Sequence, residues 1–412
     1  MDADNCLKHL ANNSVQMVYI DPPYNTQSTS FEYHDNLADW DDFMGQKLTK
    51  TRDLLKDTGF VFISIDDNKL AELLALCYQI FAKKNFLGVF ITRQATRSNA
   101  KHINTTHEYI VAFAKNKQLA PKFAIKRLAL PFYQKKLNPL INKIKKIYQH
   151  EGIDKANIAL KQALKEFEPL DEFSWLKNYN IVDEQGEICF ATDLSTPGEP
   201  NCLHIPEINL TLQPLKTRAW SSKEKIIKLF YANKLIFKNG RPYEKHLLKN
   251  ATDSAMSLLN FYSRQGKHDL AKLNMEALFS TAKPVEMIKY LLRIATPNPD
   301  DIVLDYFAGS GTTAQAVLEC NHEDNTHKQF ILCQIDEPIK QNAFAINYLI
   351  KHHYPPSIAS ITQLRLERLK QHFNFSYETV TMNTVTMNTV TTTLITTTNL
   401  QKEQLWQNTS PF

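Results

Sequence analysis

Val15-Gln16-Met17-Val18-Tyr19-Ile20-Asp21-Pro22-Pro23-Tyr24 runs as a strand and then stops. The stretch to Ile20 is apolar, with β-branched and aromatic members, which predicts a buried strand. Pro22 and Pro23 carry no N–H and cannot continue a ladder. The Asp21 carboxylate and the Tyr24 ring are thereby presented at a strand's carboxyl end, where open α/β sheets bind their ligands. Taken alone, Asp-Pro-Pro-Tyr reads equally well as a plain turn.

A second stretch weights that choice. Ile302-Val303-Leu304-Asp305-Tyr306-Phe307-Ala308-Gly309-Ser310-Gly311-Thr312-Thr313 predicts a strand, a glycine turn and a helix start. Gly309 and Gly311 let backbone approach a ligand closely, and Thr312 and Thr313 suit the cap of a helix over 314–319. A lone Gly-x-Gly is a weak signal, but the two motifs together are specific. Together they resemble the S-adenosylmethionine-dependent amino-methyltransferases of DNA, with the motif order of the β-class. Further words resemble the modification subunits of type III restriction systems: Phe31-Glu32-Tyr33, Phe62 to Asn68, His107-Glu108-Tyr109 and Lys283-Pro284-Val285-Glu286. The likeness covers nearly all of residues 1–370 and is weakest between 120 and 215.

The resemblance implies a doubly wound, mostly parallel α/β sheet, Rossmann-like, with a circularly permuted motif order and an inserted target-recognition region. The expected boundaries are a catalytic half over 1–120, a basic insert over 121–274, a cofactor half over 275–375 and a Thr-rich tail over 376–412. The local patterns agree. Residues 37–56 predict an amphipathic helix stopped by Gly59, 70–81 a second helix, and 60–65, 86–91 and 109–113 strands. Alternating strands and helices indicate an α/β sheet. Residues 25–36 lack periodicity and predict a loop placed to close over substrate.

For the cofactor, the resemblance implies S-adenosylmethionine held by Asp305, Phe307, Ala308, Gly309, Gly311 and Thr312. Lys283 and Glu286 follow from the Lys-Pro-Val-Glu word, and Cys6 from an Asp-Cys-Leu word in which this chain has Asn5. Residues 330–337 predict a strand ending in acids, and a carboxylate at that distance past a glycine turn grips a nucleoside ribose. Relatives often carry Glu where this chain has Gln334, which leaves Gln334 and Asp336 as alternatives.

DNA contact is expected from Lys122, Lys126, Arg127, Lys135, Lys136, Lys143, Lys145 and Lys146, in a stretch with no acid before Glu151. Phe123, Phe132, Tyr133 and Tyr148 are interleaved, which fits phosphate contacts with base stacking. A solvated helix face is the plain alternative; the position between two catalytic halves favours DNA. The net charge of +5 is too mild to name a polyanionic partner.

The six cysteines are scattered, without Cys-x-x-Cys spacing, which argues for a reducing cytoplasm and against structural zinc. Nothing approaches a membrane span or a signal peptide. Met-Asn-Thr-Val-Thr recurs in the uncharged tail, which predicts disorder.

The chemistry expected is direct transfer to an exocyclic base nitrogen, with no metal. Asp21 and the Pro22 carbonyl would accept from that nitrogen, Pro22 and Pro23 would keep donors out, and Tyr24 would stack on the flipped base. No cysteine follows a proline, against a carbon-5 cytosine enzyme. Asp at position 21 tilts the target to adenine N6; cytosine N4 and a protein or RNA nitrogen are the alternatives. No phosphate-loop motif supplies a motor, so the partners expected are duplex DNA, a separate restriction subunit and a second copy of the chain.

Overall fold

Strand β1 (Val15–Ile20) is buried at every position and occupies the middle of a nine-stranded sheet. The other strands are β2 (Leu55–Ile65), β3 (Phe86–Arg93), β4 (His107–Ala114), β5 (Leu258–Tyr262), β6 (Ile302–Asp305), β7 (Gln329–Ile335), β8 (Tyr377–Asn383) and β9 (Thr391–Thr397). Their order is β5-β3-β4-β2-β1-β6-β7-β9-β8. The centre, β2-β1-β6-β7, is parallel, and β4 and the β8–β9 pair add antiparallel partners on either side. This computed structural model describes residues 3–26, 31–33, 35–93, 101–383 and 391–397.

A short helix α1 (Ala3–Lys8) precedes β1, and helices cover both faces of the sheet, as the strand pattern requires. On one face Val18, Ile20, Val61, Ile63 and Leu304 pack with Trp40, Met44 and Leu48 of α2 (Trp40–Leu54) and Leu73 of α3 (Leu70–Phe81). On the other face Phe90 meets edge-on the ring of Tyr290, from a helix over Val285–Ala295, at 6.4 Å. Alternate strand residues point to opposite faces, so a fully apolar β1 needs this two-sided cover.

Two compact units result: residues up to Phe123 with those from Ala255 onward, and Ala124–Ser254. The second unit ends 20 residues before the expected 274, because β5 pairs with β3 and so belongs to the main sheet. Gly59 does not stop a helix. Helix α2 ends at Leu54, and Gly59 lies inside β2, where a Cβ would meet the Lys56 carbonyl oxygen at 2.9 Å. Nor is the Thr-rich tail wholly without structure. Uncharged β-branched residues suit a pleated edge, and β9 pairs antiparallel with β7 from Ile331↔Thr396 to Ile335↔Thr392. Residues 384–390 and 398–412 lie outside the described residues.

The second unit has its own core, built on the long helix Pro131–Leu164 (broken at Gly152) and a four-stranded antiparallel sheet. Leu137, Leu140 and Ile144 point inward, leaving Lys135, Lys136, Lys143, Lys145 and Lys146 exposed with Lys126. Arg127 departs from its expected role. Its guanidinium stacks on Trp175 at 3.8 Å and pairs with Asp253 at 3.4 Å. Three of the four interleaved aromatics are likewise engaged internally. Phe123 packs on Phe60 in the main unit, Tyr133 on Phe173, and the Tyr148 hydroxyl donates to the Glu184 carbonyl. Phe132 remains exposed. No helix among the described residues is long and apolar enough to cross a membrane.

Candidate active site

The carboxyl ends of β1, β6 and β7 open on one cavity of about 320 Å³, within the size range of small-molecule sites. Asp21 and Pro23 line it together with Asp305, Phe307, Ala308, Gly309 and Thr312. Lys283, Gln334 and Asp336 complete the set of expected residues found there. Two motifs nearly 300 residues apart thus share one space. Their strands are direct neighbours, with Val18 opposite Leu304.

At the first motif the Tyr24 hydroxyl donates to Asp21 Oδ1 at 2.7 Å. The Lys283 ammonium stands 3.2 Å from the same oxygen and bonds the Tyr24 hydroxyl and Glu108 Oε2, each at 2.9 Å. Burial pushes the Asp21 carboxyl above its usual range; Lys283 opposes that shift and Glu108 adds to it. Burial alone would lower the Lys283 ammonium, but Asp21 and Glu108 outweigh it and hold the ammonium well above its ordinary value.

The turn itself is fastened. The Asp35 carboxylate accepts from the Tyr24 and Thr26 amides at 2.8 and 2.7 Å. Asn25, at φ 57°, exchanges two hydrogen bonds with the Leu37 backbone. The Trp40 indole donates to the Pro23 carbonyl at 2.7 Å, whereas the Pro22 carbonyl has no hydrogen bond among the described residues. The expected closing loop is therefore pinned at both ends, and its residues 27–30 and 34 lie outside the described residues. Neither Pro22 nor Tyr24 lines the cavity; Tyr24 acts on it through its hydroxyl.

At the second motif Gly309 (φ 51°) and Gly311 (φ 80°) are left-handed, a conformation that costs glycine little. The Gly309 N–H donates to Gln334 Oε1 at 2.7 Å, and Thr362 Oγ1 donates to the Gly309 carbonyl at 2.6 Å. Gly311 precedes the helix Thr312–Asp324, which no side chain caps. Thr312 and Thr313 have other partners: Thr313 donates to Asp305 Oδ2 at 2.5 Å, and Thr312 accepts from Arg365 at 2.9 Å. Arg365, fully buried on the helix Ile358–Leu369, also reaches Ser310 Oγ at 3.0 Å and Gln315 at 2.9 Å. Burial lowers its guanidinium to about 10 and raises the Asp305 carboxyl to about 7.

These residues fit a nucleoside-bearing cofactor. At Gly309 a Cβ would project to within 3.5 Å of the Phe279 ring, so glycine leaves the cavity wall open there. Phe307, tilted against Phe43 at 6.0 Å, offers an apolar wall, and Asp336 offers a carboxylate for hydroxyl groups. Gln334, by contrast, is tied to the Gly309 amide and holds the turn.

Of the expected cofactor residues, Gly311 belongs to the turn but does not line the cavity, and two others lie elsewhere. Glu286 binds Lys289 at 2.7 Å, in a cluster with Glu319 and Glu323 on a neighbouring helix, because helical spacing turns it off the cavity side. Cys6 is buried in the apolar core beside Cys333. Glu108, Asp35 and Arg365 were not among the expected site residues. Only Glu108 had a local signal, its place in the His107-Glu108-Tyr109 word.

A carboxylate-bearing proline turn and a glycine turn are delivered by adjacent parallel strands to one cavity of an α/β sheet. The chain belongs to the DNA methylase family, whose model (N6_N4_Mtase) matches residues 15–345. It is 27% identical to the Mod subunit of the type III restriction-modification enzyme EcoP15I of Escherichia coli, over 88% of this chain and 61% of that one. To the StyLTI Mod subunit of Salmonella typhimurium it is 29% identical, over 82% and 52%. The chain thus spans about half to three fifths of the length of these relatives. Among solved structures, the M1.HpyAVI–SAM complex is 14% identical, with a TM-score of 0.35 over 86% of this chain and 89% of that one.

Proposed function

We propose that this protein transfers the methyl group of S-adenosylmethionine to N6 of adenine at a specific site in duplex DNA, as the modification component of a restriction-modification system. The observation that carries this reading is the shared cavity, in which the Asp21 carboxylate faces the Gly309–Thr312 turn. When bound, S-adenosylmethionine supplies a methyl already activated by its sulfonium charge.

The protein's own work falls on the nucleophile. An exocyclic amino nitrogen is a poor nucleophile because its lone pair is delocalised into the ring. The Asp21 carboxylate, which lines the cavity, accepts from its N–H and favours a localised pair. Pro22 and Pro23 add no donor to compete. As the nitrogen takes the methyl it sheds one proton, and Asp21 is the acceptor placed for it. Positioning supplies much of the remaining acceleration.

A duplex base must leave the stack to reach this cavity. Tyr33, stacked near Phe279 on the cavity wall, supplies an aromatic face, while the Tyr24 hydroxyl orients Asp21. Asp305, Phe307, Gly309, Thr312 and Asp336 hold the cofactor in this reading. The exposed lysines of the second unit contact phosphates. The Mod-subunit relatives support a separate restriction subunit as partner. The same reading has the protein at work in the cytoplasm as a homodimer.

The test is incubation with labelled S-adenosylmethionine and mixed genomic DNA, followed by nucleoside mass spectrometry. N6-methyladenine is expected. N4-methylcytosine would keep the mechanism and overturn the base; bound cofactor with no methylated nucleoside would overturn the DNA reading. Asp21→Ala should abolish transfer and leave cofactor affinity nearly intact, measured by calorimetry.

A further inference from the structure

Lys283 stands where sequence reasoning expects a cofactor contact, yet all its partners belong to the proton-accepting side of the cavity. Its ammonium has three donors and three oxygen partners: Asp21 Oδ1 at 3.2 Å, the Tyr24 hydroxyl at 2.9 Å and Glu108 Oε2 at 2.9 Å. Side-chain exposures of 26% for Asp21, 14% for Lys283 and 15% for Glu108 leave little water to screen these charges. The three groups come from three places in the chain: the end of β1, the approach to the helix Val285–Ala295, and the start of β4.

This arrangement resolves a conflict in the chemistry. Asp21 must be ionised to take the proton that the amino group sheds, but burial favours its neutral form. A cation beside it restores ionisation. A cation devoted to it alone would also occupy it, and would oppose the positive charge that develops on the nitrogen during transfer. Glu108 removes that difficulty by drawing on the same ammonium from another direction. We propose that Lys283 and Glu108 are positioning residues whose ion pair keeps Asp21 ionised while dividing the Lys283 ammonium between two carboxylates, so that Asp21 remains an acceptor for the target amino group. The inference rests on the role of Asp21 proposed under the function.

Asp21 has other charged and titratable neighbours. Tyr19 on β1, Tyr24 in the turn, Tyr33 and Asp305 at the end of β6 all feel its charge. Burial raises all four; the three tyrosines therefore stay neutral through acid and neutral pH, whereas the Asp305 carboxyl reaches about 7. Asp305→Asn therefore serves as the background for the cofactor-free titration, and methyl transfer is read with Asp305 intact.

The experiment is a carboxyl-carbon NMR titration of the full chain without cofactor or DNA, with the Asp21 resonance assigned by Asp21→Asn. Lys283→Met should move the Asp21 midpoint up, since it removes the opposing cation. Glu108→Gln should move it down, since it removes a like charge. Lys283→Arg, which keeps the charge, should return the midpoint toward the wild-type value and guards against a misfolded Lys283→Met. In single-turnover assays at neutral pH, Lys283→Met and Glu108→Gln should each slow methyl transfer roughly tenfold or more, as displacement of a reacting group does. Midpoints that stay put, or that move in the same direction in both variants, overturn the proposal. Failure of the functional reading would show separately, as methyl transfer that survives Asp21→Ala.

Discussion

Asp305 shows how one buried carboxyl ties the cofactor turn to pH. Its oxygens accept from the Phe307 amide at 3.1 Å and the Thr313 hydroxyl at 2.5 Å, yet burial still raises it to about 7. An acid raised in the folded state adds stability that is fully present below its unfolded pKa of about 4, and loses it as pH rises through 7. Asp305→Asn preserves the shape and removes the ionisation. The wild-type-minus-variant difference in melting temperature should therefore fall between pH 4 and pH 7, with an underlying change on the order of a few kcal/mol. Thermal unfolding across that range, followed by circular dichroism, measures it; a flat difference would mean that Asp305 ionises freely. Residues of this kind divide by how sequence reveals them. Asp21 and Gly309 were legible because proline and glycine beside them admit few conformations. The partnership of Lys283 with Glu108 spans 175 residues, and no local pattern encodes a contact of that range.

Among the elements, a helix shapes the glycine turn. On the helix Ile358–Leu369, Arg365 is fully buried and bonds Ser310, Thr312 and Gln315. Each such bond to a charged donor contributes about 1.5–3 kcal/mol. Arg365→Met fills much of the same space and leaves these acceptors without their donor. It should lower the melting temperature by several degrees and weaken S-adenosylmethionine binding roughly tenfold, read by calorimetry. A loss of stability with unchanged affinity would show that the turn holds its shape unaided. Periodicity did locate α3 at its observed ends, 70–81, because an apolar stripe at helical spacing has few other uses. It misjudged the tail, since repeated Thr and Val specify a strand's preference but not its register. The register comes from β7, which offers β9 an open edge.

At the scale of the whole molecule, the main question is what the second unit's basic helix does. Its lysines at 135, 136, 143, 145 and 146 are exposed while its apolar residues build an independent core. Of the eight cations expected to meet DNA, Arg127 has already closed on Trp175 and Asp253. The aromatics expected to stack with them are mostly internal. What remains on the surface is charge without base-reading geometry, which predicts a contribution to affinity rather than to sequence choice. Replacing Lys143, Lys145 and Lys146 with Gln together should weaken duplex binding about equally on target and non-target DNA. The slope of log affinity against log salt should become shallower by about 0.9 for each phosphate no longer neutralised. Because all three lie in a unit with its own core, cofactor affinity and melting temperature should change little. Fluorescence anisotropy on the two duplexes over a salt series separates the cases. Selective loss on the target duplex would assign these lysines to recognition, and an unchanged slope would make the helix a solvated face.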